Sequence, residues 1–91
     1  MRNITKRQAE ATLRRLRKQF AGYNTESMKL YEPGYHTRGW SIAWEEGPYE
    51  WAILAIHGGY GEHGRIPAVE APKQVFVEPQ NHWLLGLWPD A

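Results

Sequence analysis

The hydrophobic positions near the N-terminus repeat with the period of an α-helix. Four apolar side chains, three or four residues apart, would share one face: Ala9, Leu13, Leu16 and Phe20. Thr5 is suited to be the N-cap, and Gln8, three residues later, completes a capping box. Gly22 is placed to end the helix. The pattern therefore predicts an amphipathic helix over about residues 5–21.

After residue 27 the hydrophobic pattern changes to a period of two, with aromatic and β-branched residues, which is typical of β-strands. The predicted strands cover about residues 28–32, 40–45, 49–56, 75–78 and 83–88. A turn at Pro79-Gln80-Asn81 would join the last two into a hairpin. A helix followed by strands predicts an α+β fold, in which one N-terminal amphipathic helix packs on an antiparallel sheet of about four to five short strands, in two layers. The length of 91 residues predicts a single domain, residues 1–91.

One block, W-E-E-G-P-Y-E-W-A, starts at Trp44 and places three carboxylates between two tryptophans. If a hairpin turns in the middle of this block, Trp44 lies opposite Trp51 on an apolar face. Glu45 and Glu50 then come close together on the other face, and Glu46 stands at the tip. Two carboxylates across a strand pair repel each other unless a cation or a basic partner is present. The block is therefore a candidate site.

Three interpretations of this block stay open. It can be a solvated hairpin end, since exposed carboxylates repel each other only weakly in water. It can be an acidic patch, flanked by aromatic rings, that binds a positively charged partner. It can also dock on the basic helix of the same chain. The residues predicted to bind a partner are Glu45, Glu46, Tyr49, Glu50 and Tyr60.

The net charge of +1 conceals an uneven distribution along the chain. Residues 1–22 hold seven basic residues and one acidic residue, whereas the rest of the chain holds four basic and nine acidic residues. Basic side chains on the water-facing side of a helix can neutralise phosphates. A nucleic-acid interface is therefore the alternative hypothesis, and the residues predicted to form it are Arg7, Arg14, Arg15 and Lys18.

Composition excludes several classes of protein. The chain has no cysteine, which excludes disulfide scaffolds, cysteine-based zinc sites and thiol catalysis. No apolar run reaches the roughly 18 residues of a membrane span, and the N-terminus lacks the apolar core of a secretory signal. We therefore expect no membrane partner and a cytoplasmic location.

The motifs for cofactor binding or catalysis are weak. Residues 59–64 match G-x-G-x-x-G, but a dinucleotide site needs a helix starting there and a parallel strand beyond it, and Pro67 follows instead. The four histidines show none of the spacings that mark a zinc site. Glu50, His57 and His63 would be the set for a metal-assisted hydrolase. We expect no catalytic residue, no cofactor and no dedicated metal ligand.

The block W-E-E-G-P-Y-E-W-A, with the earlier I-T-K-R-Q-A-E and the later P-K-Q-V-F-V-E-P and W-L-L-G-L-W, resembles a group of small proteins from actinobacterial phages and their hosts. That group has no established function, so the resemblance brings no catalytic residues with it. It implies a phage or mobile-element setting, in which proteins of this size often act by binding a host or virion component. If the protein is phage-encoded, the expected location is the cytoplasm of the host cell or the virion.

These observations together predict a small non-enzymatic accessory protein that binds a macromolecular partner through aromatic and charged surface. A protein is the first choice of partner, because the five Trp and five Tyr are residue types that anchor protein interfaces. Nucleic-acid binding through the basic helix is the alternative. A small metal-assisted hydrolase is the third hypothesis.

Overall fold

The computed structural model of the chain describes residues 3–61 and 64–90. Its elements are α1 (Lys6–Gln19), β1 (Lys29–Tyr31), β2 (Trp40–Ala43), α2 (Trp51–His57), β3 (Gly59–Gly61), β4 (Gly64–Ile66), β5 (Val75–Asn81) and β6 (Leu84–Pro89). A short 3₁₀ turn, Thr25–Ser27, precedes β1. Within the described ranges, neither helix has the length and apolar character that crossing a bilayer requires.

The N-terminal helix begins where the capping box predicts. The backbone N–H of Gln8 donates to the Thr5 hydroxyl oxygen over 3.1 Å, and the backbone N–H of Thr5 donates to the Gln8 side-chain oxygen over 2.8 Å. The residues of the predicted apolar stripe all lie in or against the core: Ala9, Leu13, Leu16 and Phe20. The prediction of an amphipathic N-terminal helix is therefore confirmed.

Four strands form one antiparallel sheet in the order β1-β2-β6-β5, and β3 and β4 form a separate pair. In the large sheet Ile42 lies beside Leu85, and both belong to the same buried cluster as Leu16 of α1. This side is the inner face of the sheet. Because side chains alternate along a strand, the neighbouring row, Tyr31 and Ser41, belongs to the opposite, outer face. The predicted α+β fold, with a helix packed on an antiparallel sheet in two layers, is confirmed.

Four aromatic rings fill the core between α1, β2 and α2, and we call them the aromatic core: Phe20, Tyr23, Trp44 and Trp51. Phe20 meets Trp44 and Trp51 edge-to-face, with ring centroids 5.3 and 6.1 Å apart. The two indoles also meet edge-to-face, at 5.4 Å. Such pairs contribute roughly 0.5–1.5 kcal/mol each beyond the area that they bury.

The predicted strand over residues 49–56 is wrong. Its residues form α2, and β2 pairs with β1 and β6 instead. The buried side chains of α2 are Trp51, Ala52 and Ala55, whose spacing places them on one side of a helix. A short apolar run fits a strand or a buried helix equally well by periodicity, and the two alanines favour the helix.

The last two strands form the predicted hairpin, but its turn lies further along the chain. Pro79 and Asn81 still pair with β6, with a shift in register between them, and the chain turns at His82 and Trp83. Proline is tolerated there because β5 is an edge strand. The G-x-G-x-x-G residues contribute β3 and β4, which pair antiparallel, whereas a dinucleotide-binding turn leads into a helix and a parallel strand.

Candidate functional site

The acidic block forms the connection between β2 and α2, residues 45–50, and both ends of this connection are fixed in the core. Trp44 and Trp51 are each only 1% exposed. The sequence predicted that Trp44 lies opposite Trp51 in a strand pair. This prediction is wrong, because Trp51 is the first residue of helix α2. The predicted meeting of Glu45 and Glu50 across a hairpin is therefore wrong as well. The two buried tryptophans fix the ends of the connection, and residues 45–50 between them form its surface.

Two backbone features fix the path of the connection. A Cβ atom at Gly47 would overlap the indole ring of Trp44, so only glycine lets the chain pass this close. Glu50 has φ of 56° and ψ of 28°, in the left-handed region that side chains other than glycine rarely adopt. Such a conformation persists only where the surrounding structure imposes it, and here Pro48, two residues before Glu50, and Trp51, directly after it, are both buried.

The side chains presented by this connection are acidic and aromatic. Glu45 and Glu46 are exposed, and Tyr49 is 71% exposed. The Asn24 side-chain amide donates to Glu46 Oε2 over 3.5 Å. Glu50 is half-buried and makes no capping hydrogen bond to α2. The predicted carboxylates thus share one short segment, although they do not form a strand pair.

The sequence did not assign Glu26 to this surface. The Trp44 indole Nε1 donates to the Asn24 carbonyl oxygen over 2.8 Å and to Ser27 Oγ over 2.9 Å, which ties the 3₁₀ turn to the connection. Glu26 is exposed on that turn. No local pattern links residues 20 positions apart, so only the tertiary structure brings the turn that carries Glu26 next to the connection.

An open pocket of about 530 Å³ lies beside the connection. Tyr23, Asn24 and Trp44 line one part of it, and Glu46 and Pro48 line another. A carboxylate beside aromatic rings suits a cationic group such as a lysine or arginine side chain. The pocket and the exposed Glu45, Glu46 and Tyr49 form one surface, which we call the acidic surface.

Tyr60, another predicted binding residue, lies elsewhere. It is 83% exposed on β3, where it pairs with Arg65 of β4. The acidic connection precedes the first residue of α2, whereas β3 follows the last, so Tyr60 is not part of that connection.

The basic residues of α1 are exposed as predicted: Arg7, Arg14, Arg15 and Lys18. Arg15 also holds a distant loop, since its Nη1 donates to the carbonyl oxygens of Glu70 and Ala71 over 3.4 and 3.5 Å. Arg17 donates to the Met28 carbonyl oxygen over 3.1 Å. Among residues 3–61 and 64–90, no ion pair joins α1 to the acidic surface, so docking of that surface on the helix is not what the structure shows.

The residues proposed for a metal-assisted hydrolase are separated by α2. Glu50 directly precedes this helix and His57 is its last residue, so the two are seven positions apart, about 10 Å along the helix axis. His63 lies outside the described residues. In the part of the chain that the structure describes, no group of three His, Asp or Glu side chains is placed to hold a metal ion.

A second group of aromatic rings lies on the surface, and we call it the aromatic platform: Tyr31, Tyr35, His36 and Trp83. Tyr31 and Tyr35 stack with centroids 4.7 Å apart. The turn at Pro33-Gly34, closed by a hydrogen bond from Tyr35 N–H to the Glu32 carbonyl oxygen, returns the chain onto Tyr31. Pro33-Gly34 predicts the turn from the sequence alone, but the contact between His36 and Trp83 arises only from the tertiary structure.

Comparison of the chain with protein-family models, with curated proteins and with solved structures finds no match. The resemblance of the W-E-E-G-P-Y-E-W block to small phage proteins therefore stays a prediction.

Proposed function

We propose that this chain is a small non-enzymatic accessory protein that binds a protein partner through the acidic surface. The observation that carries the proposal is that Glu45, Glu46 and Tyr49 stand exposed on a segment whose two ends are fixed in the core by buried tryptophans. A segment held in this way loses little conformational entropy when it binds. The resemblance to phage proteins supplies the setting, a phage or another mobile element.

The chemistry of this surface favours a partner with basic side chains. Glu26, Glu45, Glu46 and Glu50 bring four carboxylates to the 3₁₀ turn and the connection. An exposed tyrosine beside them supplies the large, rigid contact that typifies interface anchors. The carboxylates would steer a basic partner towards the surface, and Tyr49 would hold it there.

Capture of the partner from host lysate on the immobilised protein tests this proposal. The wild-type chain should retain a discrete protein that survives nuclease treatment and is released by salt. Glu45→Gln with Glu46→Gln should abolish that capture, because the charge is lost while the shape remains. Glu10→Gln with Glu70→Gln removes two exposed carboxylates elsewhere and should capture the partner normally.

Binding kinetics with the captured partner separate the two roles. The Glu45 and Glu46 variant should associate more slowly at low salt. Tyr49→Ala should instead dissociate faster, whereas Tyr35→Ala, which removes a tyrosine of the aromatic platform with 72% exposure, should change neither rate. Capture of nucleic acid alone, or unchanged capture by both acidic-surface variants, would refute the proposal.

A further inference from the structure

The outer face of the four-stranded sheet displays aromatic side chains on the side away from the helices. The strand register places Tyr31 on this face in one row with Ser41, Gly86 and Glu78, and it places Phe76 and Trp88 in the next row of the same face. Both helices that the structure describes contribute buried residues to the core cluster on the inner face. The two faces of the sheet therefore present different chemistry to their surroundings.

Tyr35 leaves most of its side chain open to the solvent. Its ring stacks on Tyr31 with an interplanar angle of 28° and meets the His36 ring edge-to-face at 5.0 Å, yet Tyr35 remains 72% exposed. His36 makes edge contacts with Tyr31 at 4.4 Å and with Trp83 at 5.4 Å, which hold the loop across the sheet. A flat ligand could therefore continue the stack on Tyr35 without moving the platform.

Two cations flank the platform. Lys29 lies two residues before Tyr31, so it is on the same face of β1, and Arg38 ends the loop that carries Tyr35. Both are exposed, and within the described ranges neither forms an ion pair. Arg38 also borders an open groove of about 1330 Å³, which is lined in part by Phe76 and Trp88 and also by two carboxylates, Glu78 and Asp90.

We propose that this outer face binds single-stranded nucleic acid, with one base stacked on Tyr35 and backbone phosphates at Lys29 and Arg38. Every base has a π-face, so aromatic stacking accepts any sequence, and cations beside the rings neutralise the backbone. Known single-strand readers use an antiparallel sheet in this way, with exposed aromatic residues on one face. The exposed Lys29 and Arg38, which form no ion pair among the described residues, favour an anionic ligand over an uncharged one.

The proposed site differs from the nucleic-acid interface that the sequence predicted. The basic residues of α1 belong to the layer on the inner side of the sheet, whereas Tyr35 belongs to the outer side. Arg15 is already engaged with the loop carbonyls of Glu70 and Ala71. Nucleic acid is therefore assigned to the outer sheet face and not to α1. This site is separate from the acidic surface proposed to bind a protein.

Fluorescence anisotropy with labelled single strands of twelve thymidines or twelve uridines tests the proposal. For two neutralised phosphates, the slope of log affinity against log salt should be about −1.4. Tyr35→Ala should weaken binding by about 5- to 150-fold, which corresponds to the loss of one stacked base. Tyr49→Ala removes an equally exposed tyrosine from the acidic surface and should bind like the wild type.

The charge variants locate the phosphates. Lys29→Gln with Arg38→Gln should bring the salt slope close to zero, whereas Arg14→Gln with Lys18→Gln should leave it unchanged. Loss of binding in the helix variant alone, with Tyr35→Ala unaffected, would overturn the assignment. Failure of the wild-type protein to bind either oligonucleotide at low salt would also overturn it, and would leave the proposed protein partner untouched.

Discussion

The aromatic core and the aromatic platform use the same residue types and similar ring geometry, yet one is interior and the other is surface. Trp44 and Trp51 meet edge-to-face at 5.4 Å and are almost fully buried. His36 and Trp83 meet edge-to-face at the same 5.4 Å, but on the surface, where Tyr35 is 72% exposed. Aromatic contacts alone therefore do not identify a core. What separates the two groups is the layer above the sheet, because α1 covers the inner face.

The largest expected effect is the loss of an indole from the aromatic core. Trp44→Ala and Trp51→Ala should each lower the free energy of unfolding by about 3–5 kcal/mol, because each leaves a cavity among packed rings. Tyr35→Ala should change it by no more than about 0.5 kcal/mol. Urea denaturation of the three variants measures the contrast. Equal losses in all three would show that the platform is part of the core.

Gly47→Ala should cost about 1–3 kcal/mol, because the added methyl group would overlap the Trp44 ring. The test is a double-mutant cycle with Trp44→Leu, whose smaller side chain leaves room for that methyl group. In the Trp44→Leu background, the cost of Gly47→Ala should fall below about 1 kcal/mol. An unchanged cost would mean that the backbone at Gly47, and not the indole, requires glycine.

The two core tryptophans differ in hydrogen bonding. Trp44 Nε1 donates to Asn24 and Ser27, whereas Trp51 Nε1 is buried with no partner among the described residues. Trp44→Phe should therefore cost about 1 kcal/mol more than Trp51→Phe, since only the first leaves acceptors without a donor. Thermal unfolding of the two variants gives the comparison. Equal costs would indicate that the Trp44 hydrogen bonds contribute no net stability.

The smallest effect is expected at Glu50. Glycine adopts the left-handed conformation without the penalty of a Cβ atom, but it loses more backbone entropy on folding. Glu50→Gly should therefore stabilise the protein slightly, by about 0.5 kcal/mol. The free energy of unfolding in urea measures this. A destabilisation above about 1 kcal/mol would mean that the Glu50 side chain contributes to the fold.

The sequence predicted the elements whose signals are local. The capping box at Thr5 and Gln8 and the helical spacing up to Phe20 were sufficient for α1, because both act within a few residues. The strands of the large sheet were also found. The segment 49–56 was wrongly predicted to be a strand. Its helix has only seven residues, about two turns, which is too short for a helical period to be distinguished from the alternation of a strand.

The candidate site was predicted only in part, for the same reason. Glu45, Glu46 and Tyr49 are neighbours in the chain, and the sequence identified them as surface residues. Glu26 and Trp83 reach their surfaces through tertiary contacts made by Trp44 and His36. Their positions depend on how the layers pack, which no spacing within the chain encodes.

We propose that the acidic connection, residues 45–50, is the surface that meets a protein partner. Mapping of amide chemical-shift changes in the isotope-labelled protein, titrated with the captured partner, tests it most directly. The changes should centre on Glu45, Glu46 and Tyr49, extend to Glu26, and leave α1 and the aromatic platform unperturbed. Changes confined to the exposed side of α1 or to the outer sheet face, with the connection unaffected, would contradict the claim.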